Sequence, residues 1–190
     1  NLCNLISGSE GTLAAILEAK IKLTVLPKYQ NMVVLHFNDR IEAVSNVERI
    51  VALGPAAVEM LDFNVLENSK NNTITKKYYE NTVIGDPKAI LTVEFYGDSK
   101  EEIEVKANAL MDLLKEDKSV YAALKLDDMA KINDSLSLRK DGLGLIMNRP
   151  GLHKPLPFIE DAAIPLKHLP EYIKELIELC RKYGSEVVLY

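Results

Sequence analysis

The fold is decided by residues 89–114, AILTVEFYGDSKEEIEVKANALMDLL, where a strand pattern gives way to a helix pattern within a few positions. Residues 89–96 alternate and are rich in β-forming side chains, so we expect a strand there. Ser99 occupies a helix N-cap position, and Glu102 follows at capping-box spacing. Apolar residues at positions 103, 107, 110, 111 and 114 then form one helical stripe. The stretch predicts a strand followed directly by an amphipathic helix.

A similar cycle lies earlier in the chain. Residues 32–37 favour a strand, Asp39 is placed as an N-cap, and Glu42 follows three residues later. The helix that we expect next has apolar residues at 41, 44, 47 and 51, and it ends near Gly54. Two such cycles in series predict an α+β fold, a ferredoxin-like antiparallel sheet with helices packed on one face.

The remaining segments extend this unit. Residues 57–62 and 119–124 are further expected strands, and residues 64–80 are expected to form a partly helical, exposed excursion. Beyond them the pattern predicts a helical stretch over 127–147, a strand over 158–164, an additional helix over 169–183 and an additional strand from 186. A short strand over 21–25 is predicted to end at Pro27, where we place a domain boundary.

The hydrophobic content, net charge and cysteine positions of the chain argue against several classes of protein. Hydrophobic residues make up 47% of the chain, enough for a sizeable core. The net charge of −5 indicates no nucleic-acid or anionic-membrane surface. Cys3 and Cys180 lie at opposite ends of the chain, which argues against a zinc site or a redox dithiol. We therefore expect a cytoplasmic protein in a reducing compartment.

Gly8-Ser9-Glu10-Gly11-Thr12-Leu13 form a tight turn with two glycines near the start of the chain. Such a turn exposes backbone N–H groups and suits close approach to a phosphate or cofactor. A surface turn between two apolar segments is the alternative interpretation.

Residues 139–154 are the densest candidate for a binding site. They contain Arg139, Lys140, Arg149, His153 and Lys154 against a single acid, Asp141. A concave basic loop of this kind suits a carboxylate or phosphate, because arginine forms a bidentate fork with either. A solvated basic loop is the alternative.

Two parts of the sequence resemble the FAD-linked oxidases and dehydrogenases of the vanillyl-alcohol oxidase superfamily. LISGSEGTL at residues 5–13 is similar to the end of their flavin-binding domain. LRKDGLGL at 138–145, with Lys154-Pro155 and FIEDAAIP at 158–165, resembles their C-terminal, substrate-covering cap domain. The similarity is closest to the D-lactate dehydrogenase and glycolate-oxidase-subunit group. It implies that residues 1–27 are the tail of a truncated FAD-binding domain, and that residues 28–190 are a cap domain lacking its last strand and histidine loop.

The resemblance implies FAD-dependent oxidation of a small 2-hydroxy acid such as D-lactate or glycolate, with hydride passing from the α-carbon to flavin N5. It implies cofactor contacts from residues 8–13. It also implies substrate contact by Arg139, whose counterpart lies near the substrate carboxylate, with Lys154 and His153 as further candidates. The implied partners are the protein's own flavin domain and an iron–sulfur or quinone electron acceptor, which could bring the intact enzyme to the inner membrane. We expect the isolated chain to be inactive and to hold no FAD.

The sequence also departs from the family. Leu136 stands where relatives often have tryptophan, and Ile159 stands where members acting on hydroxy-diacids have lysine. The second departure argues against a 2-hydroxyglutarate-type site. The family's Gly-His-x-Gly-x-Gly-x-x-His segment is absent from the sequence, so no metal ligand and no catalytic residue is assigned.

Other titratable residues have structural interpretations. Glu160 and Asp161 are adjacent on a predicted strand and would point to opposite faces. His36 is expected to be packed or at the surface, and His168 exposed. The rival functional hypothesis is a stand-alone ferredoxin-like module that binds a small molecule or dimerises without catalysis.

Overall fold

The computed structural model describes residues 1–147, 151, 154–157, 159 and 162–189. Its elements, in chain order, are α1 (Leu2–Ser7), β1 (Tyr29–Phe37), α2 (Arg40–Val51), β2 (Ala57–Asp62), α3 (Phe63–Lys70), α4 (Lys76–Thr82), β3 (Ala89–Gly97), α5 (Lys100–Leu114), β4 (Val120–Leu126), α6 (Met129–Met147), a 3₁₀ turn (Leu166–His168) and α7 (Leu169–Lys182).

The four strands form one antiparallel sheet in the order β2-β3-β1-β4. Together with α2 and α5, they follow the βαββαβ order of a ferredoxin-like unit. The predicted α+β class and antiparallel sheet are therefore confirmed.

The two predicted N-caps account for where the main helices begin. The Asp39 carboxylate accepts from the N–H groups of Ile41 and Glu42, at 2.7 and 3.0 Å. The Ser99 hydroxyl accepts from the N–H of Glu102 at 3.1 Å, and the Glu102 carboxylate accepts in return from the N–H of Asp98 at 2.9 Å. These bonds satisfy N–H groups that have no partner within a helix, so each helix starts at a defined residue.

The helices cover both faces of the sheet, and the expectation of helices on one face is wrong. The α6 face, covered by α3, α4 and α6, buries Met32, Val34, Leu61, Ile90 and Leu126 among others. The α2 face, covered by α2 and α5, buries Val33, Leu35, Phe37, Leu91, Val93 and Phe95 among others. Since β1 and β3 are apolar at successive positions, both of their faces must be buried.

Helices α3 and α4 supply the second layer that the sequence did not reveal. Residues 64–80 were expected to be exposed, but Val65, Leu66 and Tyr79 are buried in the core of the α6 face. The partly helical character of this segment is confirmed. Its exposure is corrected because its apolar residues pack against α6 and the sheet.

Three predicted strands are not found where the structure describes the chain. Residues 21–25 form no strand, and Leu23 and Val25 are exposed, because no neighbouring strand accepts their backbone bonds. Residues 162–164 are likewise not a strand, while 158, 160 and 161 lie outside the described residues. Residues 186–189 form no strand either, although the Leu189 carbonyl accepts from the N–H of Asp62 at 3.3 Å.

The predicted C-terminal helix is present as α7, which packs against α2. Pro170 lies in its first turn, and Gly184, with φ of 71°, follows its end. Of the helices in the described parts of the chain, none is both long and apolar enough to cross a membrane.

Candidate functional site

Two glutamates lie close together on the α6 face of the sheet, where β2 and β3 pair. In the antiparallel register Glu59 lies opposite Thr92, and Glu94 follows Thr92 by two residues. Both acids therefore point to the same face as diagonal neighbours across the strand pair. Glu94 is buried, with 5% of its surface exposed.

Arg139 reaches this acidic pair from α6. Its Nε forms an ion pair with the Glu59 carboxylate, and the two side chains are 45% and 28% exposed. No other residue that the structure describes forms an ion pair or hydrogen bond with the Arg139 side chain. One edge of the guanidinium is therefore held by Glu59, while nearly half of the Arg139 side chain is exposed.

Burial and the charge of Arg139 have opposite effects on the pKa of the Glu59 carboxyl. Burial raises the pKa of the Glu59 carboxyl above its usual value, Arg139 opposes this shift, and the nearby Glu94 adds to it. The Tyr96 hydroxyl donates to Glu94 Oε2 at 2.9 Å, and burial, followed by this bond, raises the pKa of Tyr96. Tyr96 therefore remains a protonated donor that fixes one oxygen of Glu94.

Arg139 lies in α6, in agreement with the helical stretch predicted over 127–147, and the alternative of an irregular basic loop at Arg139 is wrong. The buried stripe of Ile132, Leu138 and Ile146 holds this helix against the sheet. Gly142 lies so close to α3 that a Cβ there would come within 2.7 Å of Val65 Cγ1. The glycine thus serves close helix packing one turn after Arg139, and it does not mark a loop.

Of the other two predicted substrate residues, the structure describes only Lys154. Lys154 is exposed and lies in a segment without regular structure, beyond the end of α6. His153 lies outside the described residues, as does Arg149. The candidate site is therefore described from Arg139 and its partner Glu59.

The predicted cofactor segment forms a tight turn directly after α1. The Ser9 carbonyl accepts from the N–H and the hydroxyl of Thr12, at 2.9 and 2.6 Å. Glu10 and Gly11 adopt left-handed conformations, with φ of 48° and 78°. No backbone carbonyl of the described residues accepts from their N–H groups. Because α1 buries none of its residues, the structure does not join this turn and Arg139 into one site.

Of the three histidines, the structure describes His36 and His168. His36 is fully buried; its Nε2 accepts from the N–H of Ile84 at 3.0 Å, and its Nδ1 lies 3.2 Å from the Ala122 carbonyl. This geometry fits a neutral ring with the proton on Nδ1, and burial lowers the pKa of His36. Of the two alternatives for His36, packed or at the surface, the structure shows the packed one, and the expected exposure of His168 is confirmed.

The described residues were also compared with the requirements of a metal site, which needs several ligating side chains close together. Within the described part of the chain, no group of three or more histidine, cysteine, aspartate or glutamate side chains is arranged to hold a metal ion. Cys3 and Cys180 are both free.

Ile159 lies on the other side of the sheet from Arg139. It lines a cavity of about 400 Å³ bounded by β2, α2 and α7, together with Val58, Met60 and Leu91 of the α2 face. A side chain at this position is therefore not aimed at the Arg139 arrangement. Glu160 and Asp161, interpreted as structural, lie outside the described residues.

Sequence reasoning missed Glu59 and Glu94. The available signal was a charged residue at an inward position of a predicted strand, since Glu94 alternates with apolar residues in 89–96. What brings the two acids together is the register of β2 against β3, which depends on contacts distant in sequence.

Comparison with known proteins identifies the family. Residues 26–190 match the family described as "FAD linked oxidases, C-terminal domain". Since this match covers most of the chain, the chain belongs to that family. The predicted family, and FAD as its cofactor, are thereby confirmed.

Three relatives illustrate the similarity. The chain is 30% identical over 198 residues to D-2-hydroxyglutarate dehydrogenase of Haemophilus influenzae, covering 100% of this chain and 19% of that protein. It is 31% identical over 195 residues to D-lactate dehydrogenase of Archaeoglobus fulgidus, covering 100% of this chain and 39% of that protein. It is 24% identical over 194 residues to glycolate oxidase subunit GlcD of Bacillus subtilis, covering 100% of this chain and 38% of that protein. The chain thus spans between 19% and 39% of the length of these relatives.

Proposed function

We propose that this chain forms the substrate-side domain of an FAD-dependent enzyme that oxidises a small 2-hydroxy acid, and that Arg139 binds the substrate carboxylate. The observation that carries this proposal is the Arg139 guanidinium, which Glu59 contacts at Nε and whose side chain is 45% exposed. The three relatives are named for D-2-hydroxyglutarate, D-lactate and glycolate, which share a hydroxyl on the carbon next to a carboxylate.

Geometry supports Arg139 as an orienting group. A guanidinium held at one edge presents its remaining N–H groups in a fixed plane, which suits two parallel bonds to a carboxylate. Binding the carboxylate in this way fixes the position of the adjacent hydroxyl carbon, where the oxidation takes place. Arg139 thus contributes by positioning substrate.

FAD, when bound, supplies the two-electron acceptor that converts the hydroxyl carbon to a carbonyl. From this chain, the turn at residues 8–13 would contribute N–H donors to a phosphate of the cofactor. We propose that residues 1–27 belong with a flavin-binding domain and residues 28–190 with the cap, and that an iron–sulfur or quinone partner receives the electrons.

Substitution of Arg139 tests the proposal. In the FAD-loaded enzyme that contains this chain, anaerobic flavin reduction is followed with D-lactate, glycolate and D-2-hydroxyglutarate. We expect Arg139→Ala to lower kcat/KM for the best substrate by about ten- to hundredfold, because a charged hydrogen bond contributes about 1.5–3 kcal/mol.

Arg49→Ala is the matched control. Arg49 is also half-exposed and ion-paired, with Asp117, but it belongs to α2 on the opposite face. It should change kcat/KM by less than about twofold, because it lies on the other side of the sheet. An unchanged kcat/KM in Arg139→Ala would refute the assignment of Arg139, and failure of every hydroxy acid to reduce the flavin would refute the proposed reaction.

A further inference from the structure

The continuous segment formed by β2 and α3 meets α6 at two points. Glu59 of β2 forms the ion pair with Arg139, and Val65 of α3 lies against Gly142. Arg139 and Gly142 are three residues apart, so both contacts fall within one turn of α6 and on neighbouring positions of its surface. The two contacts together set how far α6 lies from this segment and where the Arg139 side chain points.

We propose that Glu59 and Gly142 are positioning residues that act on the substrate through Arg139. Glu59 directs the guanidinium, and Gly142 lets α6 lie close enough to α3 for that contact to form. This inference rests on the proposed function, since it assumes that Arg139 receives the substrate carboxylate. It extends that function by naming two residues that determine how the bound acid is oriented for oxidation.

The place of the Glu59 oxygen matters more here than its charge. The contact is made with Nε, whose single N–H lies in the plane of the guanidinium, so an acceptor at this point fixes the rotation of that plane. Charge alone has no direction, and water screens it at a pair whose side chains are 45% and 28% exposed. Glutamine can place an oxygen at the same point, whereas aspartate keeps the charge but is one methylene group shorter.

Gly142 acts through the distance between the two helices. A Cβ at this position would lie 2.7 Å from Val65 Cγ1. Val65 is fully buried in the core of the α6 face, so its side chain has no free space into which to turn. The helix must therefore move away from α3, and Arg139 moves with it. A displacement of about 1 Å in a substrate-positioning group can lower the rate by on the order of a hundredfold.

The first test changes the helix distance without touching Arg139. In the FAD-loaded enzyme that contains this chain, kcat and KM for D-lactate are measured per bound flavin. We expect Gly142→Ala to lower kcat by about tenfold or more. Gly144→Ala is the matched control in the same helix and should stay within about twofold, because a Cβ there meets no atom within 4 Å. Adding Val65→Ala to Gly142→Ala should restore most of the lost kcat relative to Val65→Ala alone.

The second test separates the place of the Glu59 oxygen from its charge. Glu59→Ala and Glu59→Asp should each lower kcat for D-lactate by about tenfold, and Glu59→Gln should recover most of that loss. The change should lie mainly in kcat, because the carboxylate still meets Arg139 but in a less favourable orientation. Glu104→Ala is the matched control, since Glu104 is a half-exposed glutamate paired with Lys125 of β4.

Both series are repeated in the Arg139→Ala background. Residues that act only through Arg139 should cause no further loss there beyond about twofold. A further tenfold loss in that background would show a purely structural role and overturn the inference.

Other results would also overturn it. An active Glu59→Asp beside an inactive Glu59→Gln would show that charge, and not placement, is what matters. Unchanged kcat in Gly142→Ala and Glu59→Ala, with a loss in Arg139→Ala, would refute the inference and leave the proposed function intact. If Gly142→Ala does not fold, an unchanged kcat in Glu59→Ala still refutes the inference. Unchanged kcat/KM in Arg139→Ala would refute the proposed function of Arg139 itself.

Discussion

Gly142 sets how closely α6 approaches α3, and its replacement by alanine gives a stability test of the packing around Arg139. The new Cβ would lie 2.7 Å from Val65 Cγ1, closer than two carbon atoms can remain, so the helices must separate. Overpacking of this kind costs about 1–3 kcal/mol. Alanine offsets part of that cost, because it is better than glycine in a helix by about 1 kcal/mol.

Gly144 provides the matched control within the same helix. A Cβ at Gly144 meets no atom within 4 Å, so Gly144→Ala has the helix gain without the clash. We expect Gly144→Ala to raise the free energy of unfolding by about 0.5–1 kcal/mol. The two variants should therefore differ by about 1–3 kcal/mol in urea unfolding, with Gly142→Ala the less stable.

A double variant makes this test specific for the Val65 contact. Val65→Ala removes the methyl groups that the new Cβ meets, so Gly142→Ala should cost less in that background, with a coupling of at least about 1 kcal/mol. Equal stabilities of Gly142→Ala and Gly144→Ala, within about 0.5 kcal/mol, would refute the close approach of α6 to α3.

Two further predictions concern groups buried away from the site. Because burial lowers the pKa of His36, the unfolded chain takes up a proton near pH 6.5 that the folded chain resists, so the free energy of unfolding should fall as the pH drops from about 7 to 5. His36→Gln should show a smaller slope over that range, and an equal slope would contradict the buried neutral ring. Arg40→Ala should cost about 3 kcal/mol, because it leaves the fully buried Asp62 without its cation, whereas Lys70→Ala, in an exposed pair with Asp86, should have a far smaller effect on stability. Equal costs in urea unfolding would contradict the burial of the Arg40–Asp62 pair.

The local signals in the sequence were sufficient for the ferredoxin-like unit. Asp39 and Ser99 mark where α2 and α5 begin, and both hydroxyl or carboxylate side chains accept the expected backbone N–H groups. The strands that precede these helices, β1 and β3, follow from their β-forming composition. These elements depend on residues close in sequence, which is why the pattern alone predicts them.

The layer of helices α3 and α4 over the α6 face could not be predicted from local sequence patterns. Asn68 and Asn71 interrupt the apolar pattern of 64–80, but in the structure their side chains donate to the carbonyls of Asn64 and Glu67, within the helix and at its end. The helices that they accompany are stabilised mainly by packing on the sheet and on α6. A contact formed only after the chain has folded leaves little trace in local periodicity.

The candidate site was predicted only in part. Arg139 was singled out from the sequence, but its partner Glu59 lies on a strand 80 positions earlier, and Glu94 lies on a third element. The predicted strand at 21–25 failed for a related reason, because strand propensity without a paired neighbour does not make a strand. Both the arrangement around Arg139 and the lack of a strand at 21–25 therefore depend on pairing between segments that are distant in sequence.

The claim that Arg139 binds the substrate carboxylate is tested most directly by removing the charge first from Arg139 and then from the substrate. Flavin reduction is measured with D-lactate and with its uncharged amide, in the wild type and in Arg139→Ala. The account predicts that Arg139→Ala weakens the reaction of D-lactate by about ten- to hundredfold and leaves that of the amide within about twofold. An equal loss with both compounds would contradict a bond between Arg139 and the substrate carboxylate.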